Sequence, residues 1–201
     1  MTRGAILAGG AASRFGGKAK GLETVGGERI LDRVVRIVTE AVGEPPLLVA
    51  NADDAQDWIE GAVVVKDVIP NCGALGGIYS AVTRRPDPVL ITAWDMPFVS
   101  LELLRAMIAG ASAFDVFLPE SDGPLGFEPL CGVYSPVCAA PIKTVLDAKD
   151  FRTSSFHEHV RVGTLPLSDV KAFGDPDMLF FNVNNPTDVA KAEQLWQTQS
   201  A

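Results

Sequence analysis

The chain has 201 residues, 47% of them apolar and 21% charged, with a formal net charge of −8. This composition excludes a disordered chain, and the negative balance excludes a surface built for general binding to nucleic acid or an anionic membrane. Three cysteines without C-x-x-C spacing argue against a disulfide framework or a zinc site, no apolar run reaches the length of a membrane span, and a reducing cytoplasm is the expected setting.

The first expected element is a strand over residues 4–8, a short apolar run of the kind buried in a parallel sheet. It runs into Gly9-Gly10 and a loop of small residues that carries Arg14, Lys18 and Lys20. Glycines let the backbone turn and approach a ligand closely, and bare N–H groups among clustered cations suit a polyphosphate. The spacing is not that of a Walker A loop, because Gly17-Lys18 is followed by Ala19, and it does not supply G-x-G-x-x-G. The alternative is a glycine-rich hairpin without a ligand, which would gather three cations with no anion to offset them. Arg14 and Lys20 are the candidate catalytic cations: attack at an α-phosphate spreads negative charge that fixed cations stabilise. Lys18 is an extra charge, open to a phosphate contact or to solvation.

Next, Ile30, Leu31, Val34, Val35, Val38, Ala41 and Val42 recur at helical spacing, and Gly43 ends the helix. Further strands are expected at 47–50, 62–65, 89–93, 116–119, 130–134 and 161–165. Asn51 and Asp67 follow two of them. Asn51 offers both donor and acceptor, as a base requires, or else forms a turn before Asp53-Asp54. Gly73-Ala74-Leu75-Gly76-Gly77 precedes a helix expected to open at Ile78. Adjacent glycines weaken a helix start and make sense where a substrate lies against the backbone, with a plain tight turn as the alternative. Asp95 falls just past the carboxyl end of strand 89–93, the edge where open α/β sheets bind ligands. A lone carboxylate facing phosphates there suits Mg²⁺; the alternative is a cap or turn residue.

Ser100 should cap a helix carrying Leu103, Leu104, Met107 and Ile108. Residues 121–126 have turn chemistry. Cys131 reads as a core thiol, and His157-Glu158-His159 as solvated surface in a helix or loop. Asn182 and Asn184 should bracket a short strand before a last helix opened by Asn185-Pro186. Strands alternating with helices give an α/β fold with a largely parallel sheet and helices on both faces, in one domain over 1–201.

The motif Leu7-Ala8-Gly9-Gly10 through Ser13-Arg14-Phe15-Gly16-Gly17-Lys18 to Lys20-Gly21-Leu22 resembles the signature of nucleotidyltransferases with a Rossmann-like GT-A fold. Later segments fall in that family's order: Lys66-Asp67, Gly73 to Gly77, Trp94-Asp95-Met96-Pro97-Phe98, Glu128-Pro129-Leu130, and Phe180 through Asn184 to Pro186. Within it, the chain is most similar to the molybdenum cofactor guanylyltransferases. That resemblance implies transfer of GMP from GTP to molybdopterin, a nucleotide-binding first half and an acceptor-binding lobe reached by an antiparallel excursion. It implies Mg²⁺ on Asp95, triphosphate contacts from Arg14 and Lys20, and a nucleotide cradle at Leu7, Ala8, Gly9 and Gly10. Asn51 and Asp67 match positions near base and ribose, Gly73 and Gly77 a substrate-facing backbone, and Asn182 and Asn184 the neighbourhood of metal and acceptor. Paired glycines after Leu7 go with guanine in the family, and an alanine there with cytosine. Other cofactor-biosynthesis or molybdoenzyme-maturation proteins are implied partners. Trp94 stands where relatives usually carry a small residue, and Glu128 adds an acid to a lobe expected to hold an anionic pterin. Transfer from CTP or to a sugar phosphate, a non-catalytic nucleotide-binding protein, and a dehydrogenase domain are the competing readings; the missing G-x-G-x-x-G counts against the last.

Overall fold

A computed structural model describes residues 1–9, 20–84 and 86–199. In chain order the elements are β1 (Arg3–Leu7), β2 (Thr24–Val25), β3 (Glu28–Arg29), α1 (Ile30–Val42), β4 (Leu47–Val49), β5 (Val63–Val65), α2 (Gly73–Arg84) and β6 (Val89–Ala93). Then come α3 (Leu101–Gly110), β7 (Val116–Pro119), β8 (Cys131–Tyr134), α4 (Ala139–Asp147), β9 (Val162–Leu165), two one-turn helices α5 (Leu167–Val170) and α6 (Pro176–Leu179), and α7 (Pro186–Gln199).

Seven strands form one sheet in the order β5-β4-β1-β6-β8-β7-β9. Only β8 runs against the others, pairing antiparallel with β6 and β7, so the sheet is mostly parallel. Successive strand residues feed opposite faces. Ile6, Leu48 and Leu90 pack with α1 and α3, whereas Ala5, Leu7, Leu47 and Ile91 pack with α2 and α4. Burial on both faces explains why these strands read as unbroken apolar runs rather than alternating ones. From β1 the chain winds outward through β4 and β5, then returns to place β6 on the other side of β1. The crevice at such a reversal, beyond the carboxyl ends of the strands, is where these sheets hold ligands.

Each of the seven expected strands is present, within a residue of the expected ends. The expected helix boundaries hold as well, one stop and one start. Gly43 takes φ 83° and returns its N–H to the Thr39 carbonyl, and the Ser100 hydroxyl accepts from the Leu103 N–H. Other expectations are corrected. The helix expected from Ile78 begins at Gly73, because a left-handed Gly73 (φ 58°) lets the chain enter a helix that then runs through Gly76 and Gly77. No strand joins Asn182 to Asn184; that segment is irregular, its Val183 N–H donating to the Asp95 carbonyl at 2.9 Å. The β2–β3 hairpin and α4 are not among the elements expected from the sequence. Gly26 and Gly27, both at positive φ, turn the hairpin. Among the described residues no helix is long and apolar enough to cross a membrane.

Candidate active site

A cavity of about 460 Å³ opens at the crevice, floored by Leu7, Val49 and Ala93. These are the last residues of β1, β4 and β6, brought side by side by the register Leu7↔Val49 and Leu7↔Ala93. The volume is that of a small-molecule site. Lys20, Asn51, Asp67, Gly73, Gly77, Asp95, Asn182 and Asn184, chosen from sequence, all line it, together with Leu7 and Gly9.

On one side stands a cation with its partners. Lys20 opens a short 3-10 turn, Lys20–Leu22, and its ammonium pairs with the Asp95 carboxylate. The same nitrogen donates to the Asn184 amide oxygen at 2.9 Å. Their side chains are 18% and 6% exposed, so two charges are held largely out of water and offset one another. The Asp95 and Asn184 segments are tied together by the Val183–Asp95 bond, and Asn184 is fixed further by its N–H donating to Asp188 at 2.7 Å. Lining the cavity beside them, Asn182 turns its amide N–H to the Phe180 carbonyl.

The opposite side holds a neutral–anionic pair. The Asn51 amide donates to Asp67 at 2.7 Å, and its oxygen accepts from the Asp67 backbone N–H at 2.9 Å. This two-point lock fixes the direction of the Asp67 carboxylate. The buried Ser80 hydroxyl stands 3.3 Å from the other carboxylate oxygen, accepts from the Val68 N–H and reaches the Gly76 carbonyl. Asn51 is therefore no simple turn residue: it spends two of its groups on Asp67 and keeps one amide hydrogen for a ligand.

The glycines divide by role. A side chain at Gly77 would stand 3.1 Å from Leu7, which closes the floor, and one at Gly76 would press on Cys72 at 2.8 Å. At Gly9 and Gly73 a Cβ would meet nothing, because both border the open cavity. Ala8 departs from the sequence reading. It is buried in the core on the α1 face, one residue out of phase with Leu7, and does not line the cavity. Gly10, Arg14 and Lys18 lie outside the described residues. Asn71 was missed. It lines the cavity at φ 62°, and the local signal was an Asn two residues before Gly73, since Asn tolerates the left-handed region.

The donor set suits a cation shared with a ligand rather than caged by protein. Asp95 provides one carboxylate, with the Asn182 and Asn184 amides beside it, and no group of three His, Cys, Asp or Glu occurs among the described residues. Mg²⁺ is commonly held by one or two carboxylates plus substrate phosphates, which matches this set.

Outside the cavity, Glu128 accepts from the Ser121 hydroxyl at 2.9 Å, and burial raises its carboxyl above the usual range against that bond. Cys131 is fully buried, its thiol pushed up to about 12 by burial and by Glu128. His157 corrects the sequence reading of a solvated surface. Its ring packs on Phe127 and Phe156, and burial lowers its pKa, while His159 remains half exposed.

The sequence model of the MobA-like NTP transferase domain matches residues 4–162. The chain is 34% identical to a probable molybdenum cofactor guanylyltransferase of Pelotomaculum thermopropionicum, over 96% of this chain and 92% of that protein. It is 33% identical to a molybdenum cofactor guanylyltransferase of Desulfosudis oleivorans, over 94% and 93%. Among solved structures, molybdopterin-guanine dinucleotide biosynthesis protein A from Archaeoglobus fulgidus superposes with a TM-score of 0.81 at 23% identity, covering 98% of this chain and 100% of that one.

Proposed function

The chain belongs to the MobA-like NTP transferase family, and from that premise we propose that it transfers GMP from GTP to the phosphate of molybdopterin, releasing pyrophosphate. The relative at 33% identity is named a molybdenum cofactor guanylyltransferase and the one at 34% a probable one. The observation that carries the reading to this chain is the pairing of Lys20 with Asp95 at the crevice, opposite the Asn51–Asp67 lock. A cation and a lone carboxylate then face phosphates, while the amide and the second carboxylate face the nucleoside.

In the reaction an oxygen of the acceptor phosphate attacks the α-phosphorus of GTP. The bond from that phosphorus to the oxygen bridging to the β-phosphate breaks, and pyrophosphate leaves with the electron pair. The acceptor is already an anion, so no proton has to be removed. The work of the site is to hold two anions together and to neutralise the charge that builds up. Lys20 supplies a fixed positive charge, and Asn184 holds its ammonium in place. Asp95, with Asn182 and Asn184 beside it, would hold Mg²⁺, which would add further neutralisation of phosphate charge. Leu7 offers an apolar surface for the base, and Asp67 an acceptor for ribose hydroxyls. A cytoplasmic setting and encounters with molybdoenzyme-maturation proteins belong to the same proposal.

The test is pyrophosphate release with GTP, Mg²⁺ and molybdopterin together, and none when any one is omitted. GTP should bind at least tenfold better than CTP, about 1.4 kcal/mol, within reach of one or two unmatched base hydrogen bonds. Equal or reversed affinities would remove the guanylyl assignment and leave the family unchanged.

A further inference from the structure

The Lys20–Leu22 turn rests on a tryptophan. The six-membered ring of Trp94 lies so close to Gly21 that a Cβ there would stand 2.4 Å from Trp94 Cε3, 2.8 Å from Cδ2 and 3.2 Å from Cζ3. Trp94 is 4% exposed and stacks on Trp58, with ring centroids 5.1 Å apart and planes 18° apart. Its backbone N–H donates to the Leu7 carbonyl at 3.2 Å, which anchors it to the end of β1. So the residue before Asp95 packs against the residue after Lys20, while Lys20 and Asp95 pair.

We propose that Trp94 is a positioning residue: its ring is the platform that sets where the Lys20 ammonium stands relative to the Asp95 carboxylate. Two observations support this beyond the contact itself. Among the described residues the buried Trp94 indole N–H has no hydrogen-bond partner, a state that costs stability. A phenylalanine or leucine would fill space without that cost, so the size of the ring is what the position uses. And Gly21 is not at positive φ, so backbone conformation does not demand a glycine there. Trp94 does, because any Cβ would strike it.

The inference rests on the triphosphate reading of Lys20, and its experiment separates the two. Calorimetric titration of GTP and of guanosine is run on the wild type, Trp94→Ala, Trp94→Phe and Gly21→Ala, each with its melting temperature. In Trp94→Ala, GTP affinity should fall at least tenfold while guanosine affinity stays within twofold, because Lys20 loses its place and the nucleoside contacts keep theirs. Trp94→Phe keeps an aromatic platform and should retain GTP affinity within threefold. Gly21→Ala approaches the same contact from the turn and should repeat the loss, and it decides the matter if Trp94→Ala does not fold. Adding Trp94→Leu to Gly21→Ala makes room for the new methyl and should recover part of the GTP preference. Equal losses for GTP and guanosine, or no loss in either single variant, would overturn the positioning role. A wild type that binds GTP no better than guanosine would instead overturn the triphosphate reading and take this inference with it.

Discussion

Among the described residues, Arg33 and Lys20 are both largely withdrawn from water, and their surroundings differ in kind. The Arg33 guanidinium is 3% exposed and bound on every side by scaffold. It donates to the Val25 carbonyl at 2.7 Å, to Glu28 at 3.0 Å and to the Pro97 carbonyl at 3.4 Å, and its carbon sits 4.0 Å from the Trp196 ring centre. It thereby joins the β2–β3 hairpin, the segment after Asp95 and α7. Among the described residues the Lys20 ammonium has side chains for partners, Asp95 and Asn184, and all three line the cavity. Carbonyls fixed in the backbone cannot leave Arg33. A phosphate can take over from Asp95 as the counter-charge of Lys20. A buried cation held by backbone is structural, whereas one held by side chains that face a cavity is available for exchange.

The largest effect should come from breaking the structural member. Arg33→Ala removes two carbonyl contacts, one ion pair and the ring contact, and leaves Glu28 to Arg36 alone. It should lower unfolding free energy by about 3 kcal/mol, read from the urea midpoint, with turnover per folded molecule unchanged. A stability change under about 1 kcal/mol would erase the distinction drawn between the two cations. Next in size is Asp95→Asn, which keeps shape and removes one charge. It should reduce turnover a hundredfold or more, roughly 2.7 kcal/mol, with a smaller shift in the urea midpoint than Arg33→Ala. Early melting with normal turnover would make Asp95 a scaffold residue like Arg33.

Lys20→Ala sharpens the contrast from the ligand's side. GTP should bind about tenfold more weakly, about 1.4 kcal/mol, while guanosine is unaffected, because in the proposed function the missing charge faces phosphate. A common loss for both ligands would place Lys20 at the base or in the scaffold.

The sequence shows one member of this comparison and hides the other. Lys20 and Asp95 are legible because each follows a buried apolar strand, by a glycine-rich loop or directly, and strand ends are where such sheets bind. The strands themselves are legible because burial on both faces leaves no polar interruption. Arg33 gives no signal: it sits among the apolar residues of α1, and its partners come from residues 25, 28, 97 and 196, together in space only after folding. The Trp94–Gly21 contact is hidden for the same reason, 73 positions apart in sequence. Strands of two residues carry too little pattern to show the hairpin, although Gly26-Gly27 marks its turn. His157 reads as solvated in the sequence because its charged neighbours are local, whereas the rings that bury it include the distant Phe127.

Glu128 is a third kind of half-buried charge, with neither a fixed cation nor an exchangeable one among the described residues. Among the described residues its carboxylate accepts from the Ser121 hydroxyl, and burial raises its carboxyl above the ordinary 4.5. The sign follows from which state ionises first. Below the ordinary value the carboxyl is protonated in both folded and unfolded chains and contributes nothing. As pH rises past it, the unfolded chain releases its proton while the folded one retains it, so stability falls until the raised value is passed and then stays lowered. Glu128→Gln keeps the shape and the contact with Ser121 and removes this term. It should raise the urea midpoint at neutral pH and leave it unchanged near pH 4. The same neutral side chain takes an acid away from the lobe expected to hold an anionic acceptor, so KM for molybdopterin should fall slightly while GTP affinity stays constant. An equal gain in stability at both pH values would show that Glu128 is ionised at no net cost in the fold, paired as securely as Arg33.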